Sequence, residues 1–176
     1  MLKYLPGFFL LWVTQRRPFR KRSGRRFDPL SDLRICFLCA LLLFWLLSGC
    51  DGRERIALTV DGVRVMAELA ATPEQRRQGL MGRSELGPDQ GMLLLFPAPD
   101  ILKIWMLNTN IPLDAGFFDG EGKLVNTHSM QPDGGRAIYT SSRPAIYVLE
   151  MNLGWYERHA LLPGARLQLP FPISAK

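Results

Sequence analysis

The sequence predicts a mainly β fold, a compact β-sandwich or barrel-like single domain with one or two short helices. Two observations carry this reading. Beyond residue 55 the apolar residues fall into many short runs, several alternating with polar ones as a half-buried strand requires, and Gly, Asp and Pro turn signals separate them. Only one stretch opens with the chemistry of a helix start. Many short strands around one short helix imply a sandwich or small barrel.

The elements follow in order. Ile56, Leu58 and Val60 alternate with polar or small residues, as do Val63, Val65, Ala67 and Leu69. Asp61-Gly62 lies between the two runs. A two-residue loop of this composition suits a type I′ hairpin, in which both central residues need φ > 0. Thr72-Pro73-Glu74-Gln75 reads as a helix start: Thr72 caps, Pro73 takes the first helical position and Gln75 reaches back to close a capping box. Gly79 permits a left-handed end to that helix. Gly91 to Phe96 reads as a buried strand, and Lys103 to Leu107 as another. Ala115–Phe118 and Lys123–Met130 flank the turn Asp119-Gly-Glu-Gly122. Residues 132–144 read as a polar loop, Ala145–Met151 as a strand, Gly154–Ala160 as one helical turn, and Arg166–Leu169 as the last strand after Pro163-Gly164.

Charge divides the chain. Residues 1–49 hold nine Lys or Arg against two Asp, a net of +7, and residues 50–176 hold thirteen basic and fourteen acidic groups, a net of −1. The basic excess belongs to the leader, so the domain has no surplus to neutralise phosphates and no nucleic-acid partner is expected. The leader itself has the order of a lipoprotein signal: a basic stretch from Arg16 to Arg34, an apolar run from Ile35 to Leu47, then Leu47-Ser48-Gly49-Cys50. Thirteen apolar residues make a signal-peptide core but are short for a bilayer span. The tetrapeptide resembles the lipobox of bacterial lipoproteins, with lipidation expected on Cys50. The expected organisation is therefore a signal peptide with basic extension and lipobox over 1–49, a lipidated N-terminus and tether over 50–55, an all-β domain over 56–170 and a loose tail over 171–176. The membrane, reached through lipid on Cys50, is the expected partner. The expected place is the extracytoplasmic face of the cell envelope, and Asp51 favours the inner membrane. Cys36 and Cys39 have a redox or zinc spacing but sit in the apolar run with no second pair. Beyond Cys50 there is no cysteine.

Three segments together carry a resemblance: Thr72-Pro-Glu-Gln-Arg-Arg-Gln-Gly-Leu-Met-Gly-Arg83, Trp105-Met-Leu-Asn-Thr-Asn-Ile-Pro-Leu-Asp114 and Tyr147-Val-Leu-Glu-Met-Asn-Leu-Gly-Trp155, with Gly91-Met92 between the first two. In this order they resemble the domain of unknown function 192 family over about residues 56–170. The resemblance implies a small, secreted or lipid-anchored protein with a compact, sandwich-like β domain and no established activity. Leu107 stands where members usually carry Lys, and Ile104 where an aromatic is usual.

The second segment is the most informative for a site. On an extended chain Trp105 and Leu107 share one face, Met106 and Asn108 the other. One reading is structural: Asn108 and Thr109 satisfy backbone groups in a tight turn that Asp114 caps. The other makes Trp105, Asn108, Thr109 and Asp114, with the Arg83 fork, a cleft for a small polar ligand or an envelope protein. Arg83 could instead form an ion pair with Asp114 or Glu150. Glu150 in strict alternation shares a face with Val148 and Asn152 and can point to solvent; if buried, it needs a partner. Asp114 with Glu150 is also a carboxylate pair of the kind that cleaves glycosides, provided about 5–10 Å separates them. Nucleophilic catalysis is disfavoured, because beyond Cys50 there is no thiol and no Gly-x-Ser-x-Gly. No cofactor is expected. Met106, His128 and Met130 are candidates for a soft metal such as Cu(I), although methionine also fills gaps in small β cores.

Overall fold

The structure is a computed structural model that describes residues 54–176. The expected signal peptide and lipobox, and all three cysteines, lie outside the described residues. Among the described residues nine strands and two short helices follow one another: β1 (Arg55–Val60), β2 (Val63–Ala70), α1 (Pro73–Gln78), β3 (Gln90–Asp100), β4 (Lys103–Ile104), β5 (Leu113–Phe118), β6 (Leu124–Met130), β7 (Tyr139–Thr140), β8 (Ala145–Asn152), α2 (Trp155–Arg158) and β9 (Leu167–Gln168). Among the described residues no helix is long and apolar enough to cross a membrane.

Seven strands form one curled sheet in the order β6-β5-β8-β3-β2-β1-β9, and β4 pairs with β7 in a separate ribbon. Val60 opposes Val63, so Asp61-Gly62 is the whole loop, with φ of 45° and 83° as a type I′ turn requires. β2 and β3 are parallel. Parallel neighbours need a long crossover, and residues 71–89 supply it, carrying α1 over one face. The capping box is complete: Thr72 Oγ1 accepts the Gln75 N–H at 3.2 Å and Gln75 Oε1 accepts the Thr72 N–H at 3.0 Å. Gly79 closes the helix at φ 47° and ψ −134°, a positive-φ end outside the left-handed helical region.

Alternation sorts the apolar side chains into two clusters. Ile56, Leu58, Val65, Leu93, Phe118, Leu149, Met151 and Trp155 belong to one. Leu80, Met92, Leu94, Ile104, Met106, Leu113, Phe117 and Val148 belong to the other. Since the central strands contribute to both clusters, both faces of the sheet are covered there.

Three expectations change. The strand expected over Lys103–Leu107 is only two residues long, because the chain turns after Ile104: Thr109 N–H bonds the Met106 carbonyl at 3.2 Å, and Asn108 sits at φ 51°. The polar loop 132–144 contains β7, and Asp133 organises its start by accepting the N–H groups of Gly135 and Ala137, each at 2.8 Å. Those backbone donors hold the Asp133 carboxyl below its ordinary range, Ala137 contributing most. The tail 171–176 is docked, with Ile173 and Ala175 against the first cluster and the Lys176 N–H on the Ala71 carbonyl at 2.9 Å.

Candidate functional site

A cleft of about 180 Å³ opens on the face covered by the second cluster. Its floor is Glu150. β8 places this residue opposite Met92 of β3 on one side and Ala115 of β5 on the other. Opposed residues share a face, so Glu150 points the same way as Met92 and Val148, under α1 and β4. It is 5 % exposed. Among the described residues its Oε2 has no hydrogen-bond partner. Burial among these groups pushes its carboxyl up to about 7 from an ordinary 4.5. An orphaned buried oxygen loses its hydration without replacement, which is why native structures seldom contain one outside a site.

The walls come from three stretches. The end of α1 and the following turn bring Arg76, Arg77, Gly79 and Leu80. β3 brings Leu94 and Phe96. Lys103, Ile104, Trp105 and Thr109 close the far side. Gly79 lies close over the acid: a Cβ there would stand 3.8 Å from Glu150 Oε2. The Gly82 N–H donates to the Asn108 carbonyl at 2.9 Å and so fastens the turn after α1 to the Trp105–Asn108 turn. Trp105 stands at the mouth, 45 % exposed. Arg76 is committed to structure: its Nη1 donates to the carbonyls of Ala71 at 2.7 Å and Leu95 at 2.8 Å, and its guanidinium lies 5.1 Å from the centre of the Phe96 ring. Arg77 and Lys103 are exposed and, among the described residues, form no ion pair.

The residues named from sequence divide. Trp105 and Thr109 line the cleft. Asn108 is exposed beside it and contributes its backbone carbonyl. Asp114 does not reach it. It opposes Met151, so it points to the other face, where its Oδ1 accepts the Ser129 hydroxyl at 2.8 Å. Asp114 and Glu150 thus lie on opposite faces of the sheet and cannot flank one glycosidic bond. Arg83 pairs with neither of them. Its Nη2 meets Glu68 Oε2 at 2.6 Å, and Arg55 reaches the other oxygen of Glu68 at 3.2 Å. Glu68 occupies the same row as Glu150 two strands away, about 10 Å at ordinary strand spacing. The methionines act as packing: Met106 and Met130 are buried in the second cluster. His128 Nε2 lies 2.9 Å from the Thr140 carbonyl, and its ring sits between Phe117 and Tyr139. Among the described residues no group of three His, Cys, Asp or Glu is placed to hold a metal ion.

The three segments singled out in the sequence therefore meet at this cleft, the first giving its turn, the second its mouth and the third its floor. The model of DUF192, described as Uncharacterized ACR, matches residues 56–169. The chain belongs to the DUF192 family. Solved structures similar to it include a proposed transcription regulator from Sinorhizobium meliloti 1021, with 34 % identity, 69 % of this chain and 98 % of that one covered, and a TM-score of 0.64. Another is a protein of unknown function from Novosphingobium aromaticivorans DSM 12444, with 33 % identity, 67 % and 87 % covered, and a TM-score of 0.63. No curated protein matches the chain. The match takes in 98 % of the Sinorhizobium chain, so that structure consists almost wholly of a domain similar to this one.

Proposed function

We propose that this DUF192 protein is a lipid-anchored envelope lipoprotein whose β domain binds a small polar ligand in the Glu150 cleft. The observation that carries the binding reading is the pairing of an exposed Trp105 at the mouth with a floor carboxyl whose buried Oε2 has no hydrogen-bond partner among the described residues. Apolar walls with a few convergent polar groups make a small-molecule site, and a family domain without a ligand at this spot would bear the cost of burying Glu150 for nothing. The transcription-regulator description of the Sinorhizobium protein is not carried over, because the net charge of −1 over residues 50–176 supplies no phosphate-neutralising surface. Anchoring is supported by the leader's order of basic stretch, apolar run and Leu47-Ser48-Gly49-Cys50. Asp51 favours retention at the inner membrane.

Residues 54–176 contain only Trp105 and Trp155, and Trp155 is fully buried. Collisional quenching by iodide therefore reads Trp105 alone. In a screen of sugars, amino acids and short peptides, binders should shield Trp105 and lose that effect in Glu150→Ala. If no compound shields Trp105 or raises the melting temperature, the binding reading is wrong.

A further inference from the structure

The cleft's charges are arranged by depth, a carboxyl at the bottom and cations at the mouth, and this arrangement narrows the chemistry of the occupant. We propose that the cleft recognises an aminocarboxylate, whose ammonium is received by Glu150 at the floor and whose carboxylate is held by Arg77 and Lys103 at the mouth. The proposal rests on the ligand-binding reading and names the ligand's class.

Three observations support it. First, Glu150 Oε2 is buried and receives no donor from the described residues. Its cross-strand neighbours, Met92 and Ala115, have no cationic group to offer. A buried carboxylate needs donors, and an ammonium carries three. Second, Arg77 from α1 and Lys103 from β4 enter the rim from two different elements, both exposed and neither in an ion pair among the described residues. Arg76 is not counted, since two carbonyls already hold it. Third, the walls between floor and mouth are Leu80, Leu94 and Ile104. They suit a short methylene chain, and Trp105 offers an aromatic face to a cation passing the mouth. The volume, about 180 Å³, is below the ~300–1,000 Å³ of drug-sized sites, which limits the occupant to amino-acid size. A ligand that is only a cation would be repelled at the mouth. One that is only an anion would leave Glu150 unanswered. An amine and an acid in one small molecule satisfy both ends.

The protonation of Glu150 gives an independent handle. Burial holds its carboxyl near 7, so below neutrality an incoming ammonium must displace a proton. The other charged groups around the cleft, Arg76 and Arg77 from α1 and Lys103 from β4, are cations. On the sheet the nearest further carboxylate in this row is Glu68, already held by Arg83 and Arg55.

Calorimetric titration of residues 54–176 with unbranched aminocarboxylates from glycine to 6-aminohexanoate, alongside the matching alkylamines and alkylcarboxylates, tests the proposal. One chain length should bind at least tenfold more tightly than its amine-only and acid-only counterparts. Its affinity should rise about tenfold per pH unit from pH 5.5 towards 7 and level off above. Glu150→Gln, nearly isosteric, should lose the preference for the amine while keeping the acid-only affinity. The Arg77→Ala/Lys103→Ala double variant should lose the preference for the acid. If alkylcarboxylates bind as well as aminocarboxylates, or affinity falls as pH rises, the aminocarboxylate assignment is overturned while the cleft remains a binding site. The same follows if the series fails but some other small molecule shields Trp105. Silence of Trp105 towards every compound overturns the binding reading beneath it.

Discussion

A carboxyl group raised by burial alters the pH dependence of the whole protein, and Glu150 is such a group. Its folded-state value near 7 lies above its ordinary 4.5. Below about 4.5 both the folded and unfolded chains carry the proton, and the full stability is present. Between 4.5 and 7 the unfolded chain releases the proton while the folded chain keeps it, so stability falls as pH rises and levels off once the folded carboxyl ionises. The difference between the two values amounts to about 3 kcal/mol at 1.36 kcal/mol per unit. Urea denaturation at pH 4.5 and pH 8 should therefore show wild type losing about 3 kcal/mol more than Glu150→Gln across that interval. Equal pH profiles would mean that Glu150 is hydrated or paired. The importance of this residue was only half legible in the sequence. Tyr147-Val-Leu-Glu-Met151 is a near-continuous apolar run, and such runs mark strands covered on both faces. The run sets an acid among apolar residues. Strict alternation alone allowed Glu150 to face solvent, because the covering element, α1, is brought there by a crossover that local pattern does not encode. Asp114 misled for the complementary reason: adjacency to Trp105 in sequence says nothing about which face of β5 it takes.

At the scale of elements, local chemistry decides where pieces begin, and long-range pairing decides how far they run. The Thr72–Gln75 capping box was readable because every participant lies within four residues, and it fixes the first turn of the helix that holds Arg76 and Arg77 at the cleft. Thr72→Ala should cost about 1 kcal/mol, seen as a lower urea midpoint at unchanged slope, and Thr72→Ser should restore most of it. A loss shared equally by Thr72→Ser would point to the lost methyl rather than the cap. The Asp61-Gly62 hairpin was legible for the same local reason. β4 and β7 were not. Each is two residues long, and Lys103–Ile104 is a strand only because Tyr139–Thr140, some 36 residues later, comes to pair with it. The docked tail was also illegible, since the Ala71 carbonyl that receives the Lys176 N–H is itself placed by the entry to α1.

For the molecule as a whole, charge and anchoring belong, on the proposed lipoprotein reading, to different parts of the chain. The net charge of +7 lies within residues 1–49, and the net of −1 over residues 50–176 gives no overall basic excess to hold an anionic membrane. If the chain is cut before Cys50, the basic residues go with the leader, and attachment rests on acyl chains alone. Two or more acyl chains anchor firmly where one does not, and such an anchor is insensitive to ionic strength. The full chain expressed in a bacterial host should then stay with the membrane fraction in molar salt, leave it in non-ionic detergent, and carry acyl label on a mature N-terminal peptide beginning at Cys50. Cys50→Ala should take up no label and keep its full length of 176 residues. Release of wild type by salt, or cleavage of the Cys50→Ala chain at the same bond, would show that neither lipid nor lipobox governs its placement. The small-molecule site would then have to be sought on a protein free to diffuse, since every described residue that lines the Glu150 cleft lies beyond residue 53.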